Sequence, residues 1–272
     1  MSICNSLKKL YYLNPRIYQL IFGEINAKKP DFINELITRY IPKKTISILD
    51  VGCGTGDILN ALKATSRSLM GIDKSNPMIE FAKEQFPGIQ FLVGDMTKLK
   101  LEKNFDVALC MSSTFMYNFS NDQICATLKR LKKFVKSNGI LILDLVNFTV
   151  MLRNRSFKEI IRESYNLDGF KANMTIKNTL LLEQQAIKSE WKWDIKDLNS
   201  AKPRNNIVNE NTTFRMFFPK ELEWMLSEHN FKVLELFSDY NINSNNLDGH
   251  RMIVVAKKQT LIKKKQFKLD KV

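Results

Sequence analysis

Residues 48–57, which read ILDVGCGTGD, constrain the fold of this chain more than any other stretch. A strand-like run enters a loop that contains Gly52, Gly54 and Gly56, and a helical pattern follows. A strand that reverses into a helix beneath a bound nucleoside needs positive φ angles and no Cβ in the way, and glycine meets both needs. The open start of the helix then offers N–H groups to polar ligand atoms. Taken alone, this run also fits a plain tight turn between a strand and a helix.

A second signal follows in the next predicted strand. Residues 68–73 form a short, mostly apolar run that ends in Asp73, and this acid lies about 20 residues after Gly52, the spacing seen in dinucleotide-binding sheets. A carboxylate at the end of the second strand can accept hydrogen bonds from both hydroxyls of a ribose. Together the two signals predict a nucleoside-containing cofactor bound by a doubly wound α/β sheet.

Strand-like and helix-like patterns alternate from residue 45 onward, after a predicted helix that runs from Pro30 to Pro42. Strands are predicted near residues 46–51, 68–73, 89–95, 105–111 and 139–146. Helices are predicted near residues 56–64, 77–86 and 121–137, with Gly139 capping the end of the last one. This alternation is typical of a mostly parallel sheet that is covered by helices on both faces.

The pattern changes after the fifth predicted strand. Residues 151–165 predict a helix rich in basic groups, whereas residues 172–218 alternate apolar and polar residues, as half-buried antiparallel strands do. We expect these strands to form an insertion over the carboxyl ends of the parallel strands, where ligands bind in such sheets. A helix from Pro219 and two strands, near 231–239 and 250–257, complete the chain's regular structure.

Composition narrows the class of protein. The chain has 272 residues, of which 44% are hydrophobic and 26% charged, and a formal net charge of +14. No apolar run is as long as a membrane span, and the first nine residues contain no apolar signal-peptide core, so we expect a cytoplasmic location and no membrane partner. The four cysteines are expected to be free thiols, and two histidines without clustered cysteines predict no metal site. The basic charge makes nucleic acid a second, less favoured partner, because scattered lysines also follow from biased residue usage.

The glycine loop, with an acid just before its first glycine, resembles that of the class I S-adenosylmethionine-dependent methyltransferases. Further stretches match this family in the expected order: the ribose-binding turn DKSNPM at 73–78, the adenine-binding turn GDM at 94–96, and the fourth strand FDVALC at 105–110. The resemblance covers residues 45–148 closely and residues 212–258 more loosely. It implies a Rossmann-like, mostly parallel seven-stranded sheet with a small antiparallel lid, S-adenosylmethionine as methyl donor, S-adenosylhomocysteine as product, and no metal.

The resemblance also implies roles for individual residues. Gly52 and Gly54 would line the methionine part of the donor, Asp73 would hold the ribose, and Asp95 with Met96 would hold the adenine. Helix caps or turn acids are the alternative for the two aspartates, and core packing is the alternative for Met78. The full set of residues expected at the cofactor is Asp50, Gly52, Cys53, Gly54, Gly56, Asp73, Lys74, Met78, Asp95, Met96, Cys110 and Met111.

Residues 112–118, which read SSTFMYN, carry the information on the methyl acceptor. They contain neither the Asn-Pro-Pro-Tyr or Asp-Pro-Pro-Tyr motif used on the amines of nucleic-acid bases nor the Pro-Cys pattern for cytosine carbon. They resemble instead the branch that methylates amines of small molecules, including sugar N,N-dimethyltransferases and glycine N-methyltransferase-like enzymes. Tyr117 stands where the sugar enzymes have histidine, so a catalytic role for it and for Tyr18 competes with simple packing.

These observations predict a methyltransferase that acts on a small-molecule acceptor, with an amine favoured and Ser113, Arg215 and His250 as acceptor-binding residues. The alternatives are an RNA or protein methyltransferase that uses the basic surface, an O-methyltransferase, and a donor-binding protein without turnover. The antiparallel insertion could also form a homodimer interface. The predicted segments are an N-terminal helical cap at 1–44, a donor-binding core at 45–148, a lid at 149–218, a helix and hairpin at 219–258, and a disordered basic tail at 259–272.

Overall fold

The structure is a computed structural model that describes residues 15–26, 29–167, 169–199, 205–244 and 246–260. The predicted basic tail beyond residue 260, and Cys4, lie outside the described residues.

Seven helices and eleven strands occur in chain order within the described ranges. The helices are α1 (Pro15–Asn26), α2 (Lys29–Tyr40), α3 (Asp57–Ala61), α4 (Asn76–Gln85), α5 (Asn121–Phe134), α6 (Phe148–Arg153) and α7 (Pro219–Glu228). The strands are β1 (Ile46–Val51), β2 (Arg67–Asp73), β3 (Gln90–Val93), β4 (Phe105–Cys110), β5 (Val135–Val146), β6 (Ile160–Leu167), β7 (Phe170–Leu181), β8 (Ala186–Asp197), β9 (Asn205–Arg215), β10 (Phe231–Ser238) and β11 (Arg251–Lys258).

A seven-stranded sheet in the order β10-β11-β5-β4-β1-β2-β3 forms the centre of the molecule. All of its pairings are parallel except those of β11, which runs antiparallel to both β5 and β10. Leu49 and Ala108 contribute to the apolar cluster on one face, and Ile48 and Val107 contribute to the cluster on the other. Because both faces are covered, the central strands are almost continuously apolar. The predicted doubly wound fold with one antiparallel strand is therefore confirmed.

A separate sheet of four antiparallel strands, in the order β6-β7-β8-β9, follows in the chain. Its inner face carries an apolar cluster that includes Met174, Trp193 and Ile195, and Ile17 and Ile21 of α1 belong to the same cluster. The period-two pattern correctly predicted antiparallel strands here. Helix α1 therefore joins this sheet to the rest of the molecule.

Two local predictions were wrong. The basic helix predicted over 151–165 is absent, because the short helix α6 ends at Arg153 and residues 160–167 instead pair with β7. Gly139 does not cap α5, since that helix ends at Phe134 and β5 begins at the next residue. A Cβ at Gly139 would lie only 2.8 Å from the carbonyl oxygen of Asp106, so close approach of two backbones explains this glycine.

The arrangement of strands positions a cleft. The carboxyl ends of β1, β2 and β4 meet at one edge of the central sheet, as they do in any parallel sheet with this order. Helix α1 and the residues after β4 lie over the same edge. In the part of the chain that the structure describes, no helix is long and apolar enough to cross a membrane.

Candidate active site

The cleft at this edge holds about 1170 Å³ of space between its walls, part of it open to solvent. Residues from the strands β1 and β2, from the helices α1, α3, α4 and α5, and from the turns after β1, β2, β3 and β4 line it. The predicted site residues that line it are Tyr18, Asp50, Gly52, Cys53, Gly54, Asp73, Lys74, Met78, Asp95, Met96, Met111 and Tyr117. The structure thus brings together residues that are up to 99 positions apart in the chain.

The glycine loop after β1 needs its glycines for two different reasons. Gly52, Gly54 and Gly56 all have positive φ angles, of 81°, 53° and 82°. A Cβ on Gly52 would lie 2.2 Å from Cγ2 of Thr114, and a Cβ on Gly56 would lie 2.7 Å from the ring of Phe91. Gly54 faces open space by comparison, because its nearest neighbour would be Cε1 of Tyr18 at 3.8 Å.

Asp73 at the end of β2 fastens this loop to the neighbouring strand. Its Oδ2 accepts a hydrogen bond from the Gly54 N–H at 3.0 Å, and its Oδ1 accepts one from the Ser75 N–H at 2.8 Å. Burial raises the pKa of Asp73, and these backbone hydrogen bonds oppose the rise. Each carboxylate oxygen has acceptor capacity beyond these bonds, which is what two ribose hydroxyls require.

Asp50 lies at the floor of the cleft and is 1% exposed. Its Oδ1 is buried and has no hydrogen-bond partner in the described part of the chain. Burial, reinforced by the charge of Asp73, raises the pKa of Asp50 to about 7, and the ammonium group of Lys29 opposes the shift. A buried carboxylate that lacks a partner favours a cationic group in the cleft.

Asp95 and Met96 follow β3 and also line the cleft. Oδ1 of Asp95 accepts hydrogen bonds from the backbone N–H and the hydroxyl of Thr97, and the hydroxyl bond is the main reason that its pKa is lowered. Sδ of Met96 accepts a hydrogen bond from the side-chain amide of Asn118 at 3.2 Å. That amide is fixed in turn by the hydroxyl of Thr127, which donates to Asn118 Oδ1 at 2.8 Å.

The turn at residues 112–117, after β4, forms another part of the wall. Ser112 and Ser113 both adopt left-handed backbone angles, with φ of 53° and 65°, and a 3₁₀ turn follows at Thr114–Tyr117. The Ser112 N–H donates to Oδ2 of Asp144 at 2.8 Å, and Nζ of Lys29 donates to Oγ of Ser112 at 2.6 Å. The ring of Tyr117 packs against Phe214 of β9, with centroids 5.0 Å apart.

Helix α1 covers the glycine loop from the other side. Nε2 of Gln19 donates to Oδ1 of Asp57 at 2.7 Å, which ties α1 to the first turn of α3. Tyr18 lines the cleft, and its ring packs against Phe22 with centroids 5.0 Å apart. The two predicted catalytic tyrosines therefore both line the cleft, while their roles stay predictions.

The remaining predicted site residues do not line this cleft. Gly56 and Cys110 are buried behind it, where Gly56 permits the contact with Phe91 and Cys110 packs in the core. The guanidinium of Arg215 bonds to Glu221 at 3.0 Å and to Gln185 at 3.1 Å, so this side chain ties β9 to α7. His250 is exposed at the start of β11, and Ser113 faces a different cavity.

Sequence reasoning also missed several residues of the cleft. Most of them are next to a predicted site residue in the chain, and that position could have identified them. No such signal in the sequence pointed to Gln123 on α5. The additional residues that line the cleft are Val51, Thr55, Asp57, Ile58, Gly94, Thr97, Ser112, Thr114, Asn118 and Gln123. Among the described residues, no group of three or more histidine, cysteine, aspartate or glutamate side chains is placed to hold a metal ion.

Comparison with known proteins identifies a family domain in the segment that contributes most residues of this cleft. Residues 48–139 match the family described as "Methyltransferase domain". A putative methyltransferase from Geobacillus sp. is 22% identical over 84% of this chain and 90% of its own length. A dTDP-4-amino-2,3,4,6-tetradeoxy-D-glucose N,N-dimethyltransferase from Saccharopolyspora spinosa is 25% identical over 54% of this chain and 62% of its own. A ubiquinone biosynthesis O-methyltransferase from Rickettsia canadensis is 33% identical over 45% of this chain and 52% of its own.

Solved structures share the whole fold. An S-adenosylmethionine-dependent methyltransferase from Clostridium acetobutylicum superposes with a TM-score of 0.75 and 17% identity, over 93% of this chain and all of that one. An amino pentose methyltransferase from Micromonospora echinaspora, solved with S-adenosylmethionine bound, superposes with a TM-score of 0.71 and 18% identity, over 89% and 97% of the two chains. Residues 48–139 are thus a methyltransferase domain, and over most of its length the chain is similar to methyltransferases and shares their fold.

Proposed function

We propose that this methyltransferase transfers the methyl group of S-adenosylmethionine to an amino nitrogen of a small molecule by in-line displacement. The observation that carries the proposal is the cleft itself, in which the unpartnered Oδ1 of Asp50 lies at the floor and Tyr18 and Tyr117 form part of the walls. The proposed acceptor is a small molecule, because it has to reach the methyl group through a cleft that α1 and the 112–117 turn both line.

The residues of the cleft fit the chemistry of this donor. Asp50 offers a buried negative charge to the donor's cationic sulfonium and amino groups. The absence of a hydrogen-bond partner for its Oδ1 among the described residues supports this role. Asp73 would hold the ribose hydroxyls, and Asp95 would accept from the adenine amine. Lys74 and Met78, which line the same region, would flank the adenine ring.

S-adenosylmethionine supplies a methyl group on a sulfonium, which is already a good leaving group. The chain therefore mainly has to hold the attacking atom in line and about 3 Å from that methyl. In this proposal Tyr117 on the 3₁₀ turn and Tyr18 on α1, which both line the cleft, orient an acceptor by hydrogen bonds or relay its proton.

An amine is favoured over a hydroxyl for two reasons. A nitrogen of suitable pKa needs little help from a general base, whereas a hydroxyl needs its proton removed, and no histidine is present among the described residues that line the cleft. The relative from Saccharopolyspora spinosa and the solved enzyme from Micromonospora echinaspora are both named for acceptors that carry an amino group.

The proposed division of labour follows the fold. The core strands β1 to β5 with their helices bind the donor, α1 closes over it, and the four-stranded antiparallel sheet closes the acceptor side. Helix α2 instead packs against one face of the central sheet. Contacts of α1 with both the glycine loop and the antiparallel sheet support this division.

Calorimetric titration with S-adenosylmethionine and S-adenosylhomocysteine tests the donor assignment. We expect both to bind the unmodified protein, and we expect Asp73→Ala to lower their affinity by at least about tenfold, because it removes the ribose acceptor and loosens Gly54. Glu235→Gln, which breaks an exposed ion pair with Arg39, is the matched control and should bind as the unmodified protein does. Equal affinity in all three proteins would contradict the assignment.

The release of S-adenosylhomocysteine in the presence of paired amines and alcohols of the same carbon skeleton tests the acceptor assignment. We expect the amine of each pair to be methylated with the larger kcat/KM. Faster methylation of the alcohols would show an O-methyltransferase instead.

Removing single hydroxyls tests the two tyrosines. Tyr18→Phe and Tyr117→Phe should each lower kcat by about tenfold or more with unchanged donor affinity, because only the orientation or deprotonation of the acceptor is lost. Tyr165→Phe, on the antiparallel sheet and outside the cleft, is the control. Unchanged kcat in both cleft variants would remove the tyrosines from the mechanism.

A further inference from the structure

A second cavity lies beside the donor cleft, between the central sheet and the antiparallel sheet. It holds about 750 Å³ of space, part of it open to solvent, and we refer to it as the apolar chamber. Phe157 and Phe214 in its lining pack against the cluster on one face of the central sheet, whereas Ile161 packs against the cluster inside the antiparallel sheet. The chamber thus occupies the junction of the two sheets.

The chamber and the donor cleft share one wall. Along the 112–117 turn, Ser112, Thr114 and Tyr117 line the donor cleft, whereas Ser113 and Met116 line the chamber. The wall is therefore a single turn of chain. The contact between the rings of Tyr117 on the cleft side and Phe214 on the chamber side marks where the two spaces adjoin.

The lining of the chamber is suited to an apolar group. Eight of its thirteen lining residues have apolar side chains, including Met151, Phe157, Ile161, Ile187 and Phe214. Such a lining gains free energy when it removes an alkyl or aromatic surface from water.

The polar side chains in the lining are largely engaged with the protein. Oγ of Ser189 donates to Oδ1 of Asn178 at 2.7 Å, and Nδ2 of Asn178 donates to the carbonyl of Lys158 at 2.9 Å. Oγ of Ser156 donates to the carbonyl of Met151 at 3.4 Å. Lys158, an exposed residue, is the one charged residue among the described residues that line the chamber. A diphosphate or a polyhydroxylated ring would meet few partners here.

From this geometry we infer that the chamber binds an apolar body of the methyl acceptor. The acceptor is then an amphipathic small molecule, with a nucleophilic head that reaches past Tyr117 to the donor and an alkyl or aromatic body between Phe157, Ile161 and Phe214. This inference rests on the proposed function, since it identifies the class of molecule that the same site methylates. It also distinguishes this chain from relatives named for nucleotide-linked amino sugars.

A series of n-alkylamines from butylamine to octylamine, titrated calorimetrically into the protein loaded with S-adenosylhomocysteine, tests the inference without requiring turnover. Affinity should rise about fourfold for each added methylene as the chamber fills, the gain expected for a buried CH₂. In Phe157→Gln and Ile161→Gln, two changes at half-buried positions, this increase per methylene should fall to about half or less.

Ile160→Gln is the matched control. Ile160 precedes Ile161 on β6, is 48% exposed and does not line the chamber, so this variant should keep the increase per methylene of the unmodified protein. The affinity of each variant for S-adenosylhomocysteine verifies that it is folded.

Two results would overturn the inference: affinity that does not depend on chain length, or the same increase per methylene in the chamber variants as in Ile160→Gln. Failure of the proposed function looks different. If the alkylamines bind with the expected chain-length dependence but no amine is methylated, the chamber stands and the N-methyltransferase assignment fails. If amines are methylated but their affinity does not depend on chain length, the N-methyltransferase assignment stands and the chamber inference fails.

Discussion

Asp50 shows how burial sets the chemistry of a single side chain. Because its pKa is raised to about 7, mainly by burial, the carboxyl group loses its negative charge as the pH falls below 7. The charged form attracts the cationic donor, so affinity for S-adenosylmethionine should fall between pH 8 and pH 6. Asp50→Asn removes this contribution, so the difference between the pH profiles of the two proteins, measured by calorimetry, isolates the effect of Asp50. Parallel pH profiles in the two proteins would argue against a role for this charge.

Gly52 and Gly54 show two different reasons why a position in this loop requires glycine. Both have positive φ, so alanine at either position costs about 1–2 kcal/mol of backbone strain. Gly52→Ala adds a clash with Thr114 that Gly54→Ala does not, and we expect it to lower the free energy of unfolding by about 1–3 kcal/mol more. Urea unfolding of both variants measures the difference. Equal losses would mean that the turn at Thr114 moves away easily.

At the scale of elements, Asp144 on β5 joins four separate parts of the chain. It is 0% exposed, and it accepts hydrogen bonds from the Ser112 N–H at 2.8 Å, the Tyr240 hydroxyl at 2.5 Å and Nε of Arg251 at 2.8 Å. Nζ of Lys29, at the start of α2, lies 3.6 Å from its Oδ2. One carboxylate therefore connects α2, the 112–117 turn, the segment after β10 that contains Tyr240, and β11.

Asp144→Asn should destabilise the protein by about 3 kcal/mol or more, because it leaves the buried Lys29 and the partly buried Arg251 without their counter-charge. The exposed pair of Arg39 with Glu235 provides the comparison, and Glu235→Gln should cost less than about 1 kcal/mol. Chemical unfolding of the two variants at one pH measures both. A loss for Asp144→Asn as small as that of the control would show that the network relaxes around the change.

At the scale of the whole molecule, α1 links the two sheets to the donor cleft. Ile17 and Ile21 pack in the cluster of the antiparallel sheet, while Gln19 bonds to Asp57 beside the glycine loop. S-adenosylhomocysteine should therefore slow amide hydrogen exchange in residues 15–26 and 112–117, since the ligand contacts both walls. Exchange in β10, at the far edge of the central sheet, serves as the internal control and should not change. Unchanged exchange in α1 would contradict its role as a cap.

The structural features that could be predicted from the sequence are those that depend on residues close together in the chain. Gly52, Gly54 and Gly56 require backbone angles that few other residues adopt, and alternating apolar runs determine which segments become strands. Local pattern failed where a tertiary contact decides the outcome. Residues 160–167 extend because β7 pairs with them, and Gly139 is small because the backbone of Asp106 passes beside it.

The sequence by itself determined the doubly wound fold, because the glycine loop and the alternating strands and helices around it specify such a sheet, and residues 48–139 of it match a methyltransferase domain. Only the tertiary structure decided which side chains share a surface. It removed Arg215 from the site by pairing it with Glu221, raised the pKa of Asp50 through burial, and formed the apolar chamber from two sheets that are separate in the chain. Burial and contact between distant segments depend on how elements pack, and no local pattern encodes them.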